Sequence, residues 1–301
     1  MVKKLSCIAY KKEIISILFF VVASVVFSSC GSQAVAFPSK ALNPDTNCSQ
    51  AVVNDTSIFS KSLNRTMKFN VLLPSNYNDL DSCAVLYLLH GYGGNENSYI
   101  DGLSELRKVV DCLKIIVVCV NGDVGWYVNS IERDSLRYED YIVNDLIPYV
   151  NTHYKVGTTN KQRGVAGLSM GGFGSLYLAL KHPDLFAYVG GSSSCVDIKP
   201  YPKNWGLKSI FGDAVQNEKA YILNSPYYMI DSLNKDSLKF KLVLDCGTED
   251  FFYKDNERFN EKLNELGIKH DYFTSPGDHN WLYWKVSIYA HLKLFAETVK
   301  K

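Results

Sequence analysis

Gly167-Leu168-Ser169-Met170-Gly171 sets a serine between two glycines, each two positions away from it. A serine hydroxyl is a poor nucleophile at neutral pH. It attacks a carbonyl only when a base takes its proton and a carboxylate orients that base. The spacing suits a sharp strand-to-helix turn, whose small neighbours let a strained backbone close and lift the hydroxyl above the sheet edge. The flanks agree. An apolar run at 163–166 leads in, and Phe173, Leu176, Tyr177 and Leu180 follow at i, i+3, i+4 and i+7, one face of a helix. The chemistry to expect is acyl transfer through Ser169.

In the chain order that accompanies this turn, the acid and then the base follow the nucleophile. Four histidines come after Ser169. His182 precedes Pro183 at the end of the elbow helix, a place for a structural cap. His270 opens a strand, and His291 lies inside the last helix. His279 sits in Pro276-Gly277-Asp278-His279-Asn280-Trp281, a loop between the last strand and the last helix, and is the expected base. The preceding strand ends in Cys246-Gly247-Thr248-Glu249-Asp250. Asp250, furthest out in the turn, is the expected acid, with Glu249 the next choice. Asp245 belongs to the strand end and Asp255 to a helix start, where a carboxylate helps satisfy free N–H groups. An oxyanion needs two backbone donors. One is Met170 N–H. The other is assigned to Tyr92 N–H, in Leu88-Leu89-His90-Gly91-Tyr92-Gly93-Gly94, where the glycines admit substrate close to the backbone. His90 reads as a buttress of that loop.

These groups need a frame. The chain has 301 residues and a net charge of +1, enough for one large α/β domain and with no basic patch to bind nucleic acid. Residues 51–60 and 66–73 alternate as an edge hairpin. Short apolar runs at 84–89, 115–120, 163–167, 187–192 and 241–245, with 270–274 closing the series, read as buried parallel strands. Helical patterns at 139–150, 255–266 and 284–299 lie between or after them. The fold class is therefore α/β, a mostly parallel central sheet with helices on both faces, and sites form at the carboxyl ends of its strands.

The N-terminus reads as targeting. Lys3, Lys4, Lys11 and Lys12 precede an apolar stretch at 14–27, and Phe27-Ser28-Ser29-Cys30-Gly31 resembles a bacterial lipobox. The organisation expected is a lipoprotein-type signal peptide over 1–30 with Cys30 lipidated, a flexible tether over 31–47, and one domain over 48–301. Ala34-Val35-Ala36 is a rival cleavage site that would release a soluble protein. Either route exports the chain, to the periplasm, to an outer-membrane anchor or, after cleavage following Ala36, to the medium. Cys48, Cys83, Cys112, Cys119, Cys195 and Cys246 remain, an even count that permits disulfides without revealing their pairing. Cys119 and Cys246 read as buried small hydrophobes. No C-x-x-C pair suggests a metal, and no cofactor is expected.

Together these motifs resemble the esterase D family of α/β-hydrolases, which includes the feruloyl and acetyl-xylan esterases of carbohydrate esterase family 1. Gly125-Trp126-Tyr127 followed by Ser130 resembles the family's substrate-side loop, and Gly277-Asp278-His279-Asn280-Trp281 its histidine loop. The resemblance spans roughly residues 69–293. It implies a serine esterase without metal or cofactor, with Ser169, Asp250 and His279 as its triad, acting on feruloyl or acetyl esters of an oligosaccharide or polysaccharide. A general short-chain or siderophore esterase and a non-catalytic glycan-binding lipoprotein are the alternative readings. Trp126, Tyr127 and Trp281 are the expected substrate contacts, with Trp205 and Trp284 as further aromatics for a platform. The irregular stretch 200–231 is expected to shape the pocket. The only membrane contact expected is the N-terminal lipid.

Overall fold

The apolar runs form one eight-stranded sheet in a computed structural model of the chain, which describes residues 48–157 and 159–300. The expected signal peptide, Cys30, the Ala36 cleavage point and the tether lie outside the described residues. The strands are β1 (Val52–Ser60), β2 (Arg65–Leu73), β3 (Val85–Leu89), β4 (Ile116–Val120), β5 (Arg163–Leu168), β6 (Tyr188–Ser192), β7 (Lys241–Gly247) and β8 (Asp271–Ser275). Their order is β1-β2-β4-β3-β5-β6-β7-β8. The β1–β2 hairpin lies at one edge and pairs antiparallel with β4, while every pairing from β4 to β8 is parallel.

The helices are α1 (Ser98–Gly102), α2 (Leu106–Leu113), α3 (Tyr138–Asp140), α4 (Ile147–His153), α5 (Met170–Lys181), α6 (Leu207–Phe211), α7 (Glu218–Asn224), α8 (Pro226–Met229), α9 (Tyr253–Glu265) and α10 (Trp281–Val299). A wider, π-helical stretch, Tyr141–Leu146, joins α3 to α4. Alternation along the strands makes two cores. Val85, Tyr87 and Leu89 of β3 pack with Leu146, Phe173, Leu176 and Phe259 on one face. Leu86 and Leu88 pack with Leu106, Val109, Ile288 and Leu292 on the other. Both faces are thus covered by helices, and burial of each such Leu or Phe side chain contributes roughly 1.5–3 kcal/mol. This is the α/β-hydrolase architecture.

Three local differences matter for the site. Helix α10 begins three residues before the expected 284, because the Asn280 side chain accepts the N–H groups of Leu282 (2.9 Å) and Tyr283 (3.4 Å) and so caps it. Strand β7 runs on to Gly247, which pairs with Ser275 and takes Cys246 and Gly247 out of the turn. Residues 200–231 are broken into the short helices α6 to α8. Among the described residues no helix is long and apolar enough to cross a membrane.

Cys48 and Cys112 form a disulfide that closes a 64-residue separation, and Cys83, Cys119, Cys195 and Cys246 are buried free thiols. The bridge ties the first described residue to the end of α2. A loop of that length corresponds to about 4 kcal/mol in the chain-entropy view. Replacing both cysteines with serine is expected to lower unfolding free energy by up to that amount in a denaturant titration. A loss below about 1 kcal/mol would show that the bridge does not constrain the unfolded chain.

Candidate active site

Ser169, Asp250 and His279 each follow a parallel strand (β5, β7 and β8) at its carboxyl end, and the structure brings them together. The Ser169 hydroxyl lies 2.9 Å from His279 Nε2, and His279 Nδ1 lies 2.8 Å from Asp250 Oδ2. With Nδ1–H donating to the carboxylate, the Nε2 lone pair faces the serine hydroxyl, the arrangement a general base needs. The second Asp250 oxygen accepts the Phe252 N–H at 2.8 Å, which fixes the carboxylate plane. Glu249, the other candidate acid, is exposed. It bonds the Gly277 N–H, and its own N–H donates to Gly277 O at 3.0 Å. The Gly277 N–H holds the Glu249 carboxyl below the usual range. Glu249 therefore ties down the histidine loop without touching the ring.

Ser169 has φ 57° and ψ −118°, a conformation that non-glycine residues rarely adopt. The turn closes because of its glycines. A Cβ on Gly171 would stand 1.8 Å from Leu89 O, and one on Gly91 would stand 2.9 Å from Leu168 Cδ1 and 3.4 Å from Ser169 Cβ. Of the seven other non-glycine residues with positive φ among the described residues, Asp123, Trp126, Tyr127, Ser193 and Trp205 belong to the segments around the elbow, while Asn64 and Lys114 lie at the β1–β2 turn and the end of α2.

The loop 90–94 lies across from the elbow. His90 is buried, and that burial pushes its imidazole pKa down. The neutral ring accepts the Gly122 N–H at Nε2 (3.0 Å), so Nδ1 carries the proton and donates to Gly91 O (2.7 Å). Tyr127 donates to His90 O at 2.9 Å and Tyr99 to Leu89 O at 2.8 Å. Four contacts thus fix this loop, and His90 is the buttress it was expected to be. Among the described residues, neither Tyr92 N–H nor Met170 N–H is used in a hydrogen bond within the protein. Met170 is also the first residue of α5, where the helix dipole favours negative charge.

The cleft above Ser169 has a volume of about 540 Å³ and is walled by Tyr92, Trp205, Phe251, Trp281 and Trp284. A larger cavity of about 790 Å³ opens at the amino ends of β5 to β7 and contains none of the trio. Trp281 lines the cleft as expected, set edge-on to Tyr99 (6.0 Å) and Trp284 (5.6 Å). Trp205, from the irregular stretch 200–231, stacks on Phe251 at 6.0 Å and 17°. The His279 ring lies among Phe251 (4.3 Å), Trp284 (4.8 Å) and Phe252 (5.4 Å).

The expectation for Trp126 and Tyr127 is corrected. Both are buried, at 1% and 0% exposure, and neither lines the cleft. Their left-handed backbone (φ 56° and 60°) turns the side chains inward, into space left by Gly122 and Gly174, where a Cβ would meet the Tyr127 ring at 2.2 and 2.4 Å. They brace the site from behind. Trp126 packs edge-on against Phe173 and donates from Nε1 to Trp205 O at 3.0 Å, and Tyr127 holds the 90–94 loop. Phe251 is the contact that sequence reasoning missed. An apolar aromatic directly behind the acid, in a turn, was the available signal.

A family model described as "Putative esterase" matches residues 60–295. An acetyl esterase of Caldicellulosiruptor saccharolyticus is 25% identical over 253 residues, covering 76% of this chain and 92% of that protein. A solved ferulic acid esterase is 25% identical with a TM-score of 0.73, over 83% of this chain and 100% of its own. FphF of Staphylococcus aureus, a fluorophosphonate-binding serine hydrolase solved with substrate bound, has the same fold, with a TM-score of 0.74 at 24% identity over 82% of this chain and 99% of its own.

Proposed function

This chain belongs to the Esterase family and is a carboxylic ester hydrolase, and from that premise we propose that it is an exported enzyme removing feruloyl or acetyl groups from plant polysaccharide, with Ser169, His279 and Asp250 as its triad. The observation that carries the chemistry is the unbroken hydrogen-bond chain from the Asp250 carboxylate through His279 to the Ser169 hydroxyl, at the floor of an aromatic cleft.

In this reading Ser169 Oγ attacks the ester carbonyl while His279 Nε2 takes its proton. The tetrahedral oxyanion rests on the Tyr92 and Met170 N–H groups. His279, now an imidazolium held by Asp250, gives the proton to the departing alcohol oxygen. Water, deprotonated by the same nitrogen, then releases the acid from the acyl-enzyme. No step calls for a metal or cofactor.

The aromatic walls support an aromatic acyl group or a sugar ring. A flat ring gains from stacked and edge-on contacts that a methyl group cannot make. Trp205→Ala is expected to raise KM for methyl ferulate about tenfold and to change KM for an aryl acetate less than about threefold. Equal changes for both esters would separate Trp205 from acyl recognition. Assaying methyl ferulate, acetylated xylan and tributyrin side by side tests the substrate class. Activity confined to tributyrin would overturn the polysaccharide reading.

Export is supported by the basic and apolar N-terminal pattern and by the Cys48–Cys112 bridge, which suits an oxidising compartment. Anchoring is proposed through lipid on Cys30. Mass spectrometry of the mature N-terminus tests this, and a chain beginning at Phe37 would replace the anchor with secretion.

A further inference from the structure

Behind the trio lies a second aspartate–histidine pair that the reaction above does not use. Asp245, within β7, accepts His291 Nε2–H of α10 at 2.7 Å, and His291 Nδ1 is hydrogen-bonded to the Tyr188 hydroxyl of β6 at 2.7 Å. The other Asp245 oxygen accepts the Ser192 hydroxyl at 2.9 Å, and Ser192 Oγ accepts the Ser287 hydroxyl of α10 at 2.7 Å. All five side chains are fully excluded from solvent. An aspartate–histidine pair removed from water is costly to desolvate, and apolar residues of similar volume often fill such a place with no loss of stability. Stability alone does not account for it.

Its position offers an account, because the cluster joins β7, which leads to Asp250, and α10, which follows His279, to β6, whose end is hydrogen-bonded to the Ser169 elbow. Ser192 ends β6, and its carbonyl accepts the Ser169 N–H at 2.9 Å, beside the strained elbow. Asp245 stands five residues before Asp250 on the strand that delivers it, and its carbonyl accepts the Ser193 N–H at 2.7 Å. Ser287 and His291 lie one turn apart on α10, the helix that starts two residues after His279. We propose that Asp245, His291 and Ser192 are positioning residues. They set α10 and the end of β6 against β7, and so hold His279 and Ser169 at reacting distance from each other and from Asp250. A rigid polar lock of this kind specifies one register where a greasy contact tolerates sliding. Misplacement of the reacting groups by an ångström is costly to rate.

The proposal rests on the assignment of Ser169 as nucleophile, and the test separates the two. Wild type, Ser192→Ala, His291→Gln and the control Phe69→Leu are titrated with a fluorophosphonate to count reactive serines, then assayed on an aryl acetate. Phe69 is buried in β2, four strands from β6 in the sheet, and packs edge-on against Tyr149 at 5.8 Å, so its replacement perturbs stability away from the cluster and the trio. Ser192→Ala and His291→Gln are expected to lower kcat per titrated site about tenfold with KM within about twofold of wild type. Phe69→Leu is expected to lower Tm and leave kcat per site unchanged. Should His291→Gln fail to fold, Ser192→Ala, which loses one hydroxyl, decides alone. Wild-type kcat per site in the cluster variants would overturn the positioning role while leaving the nucleophile assignment intact. A wild-type protein that does not label would sink both.

Discussion

Ser169→Ala is expected to lower kcat by on the order of 10⁵ while leaving Tm within a few degrees of wild type. The alanine keeps the Cβ that the elbow already accommodates, so the close approach of Gly91 and the hydrogen bond from Ser169 N–H to Ser192 O survive. Only Oγ is lost. His279 Nε2 then has nothing to activate but water, and what rate remains comes from the oxyanion donors and binding. The measurement is turnover of a soluble aryl acetate together with fluorophosphonate labelling, which should vanish. A variant within tenfold of wild type would remove Ser169 from the mechanism and with it the reaction sequence drawn above.

Asp250→Asn is the second large effect, a fall in kcat of about 10³–10⁴ with KM nearly unchanged. The reason lies in the partners of the carboxylate. One oxygen is committed to the Phe252 N–H, so an asparagine keeps its carbonyl there and turns its amide NH₂ toward His279 Nδ1. The ring answers by carrying its proton on Nε2, the nitrogen that must accept from Ser169. Glu249→Gln keeps a carbonyl oxygen for the Gly277 N–H and is expected to cost less than about tenfold. If the two effects were reversed in size, Glu249 would be the acid.

The strands were legible because a parallel strand covered on both faces is a nearly continuous apolar run, and β3, β4 and β5 are fully buried along their length. The trio was legible because a strained serine turn admits few sequences and the acid and base follow it in a fixed order. Helix α2 was not read from the sequence. Its eight residues hold too few turns for Leu106, Val109 and Val110 to stand out as a period. Trp126 and Tyr127 misled because composition says that an aromatic is present and not which way it turns. Backbone φ decides that, and a left-handed pair was not visible in the residue types. His291 looked like an ordinary helix residue for a similar reason. Asp245, its partner, is 46 positions away, and only the packing of α10 on the sheet joins them.

All four tryptophans of this protein stand at the cleft or directly behind it: Trp205, Trp281 and Trp284 in its walls and Trp126 holding the Trp205 backbone. The indole emission of the molecule is therefore a local signal, with no background from the rest of the fold. Arrival of an aromatic acyl group, release of the product acid and any rearrangement of the Trp205 wall can be followed by fluorescence in the unlabelled enzyme.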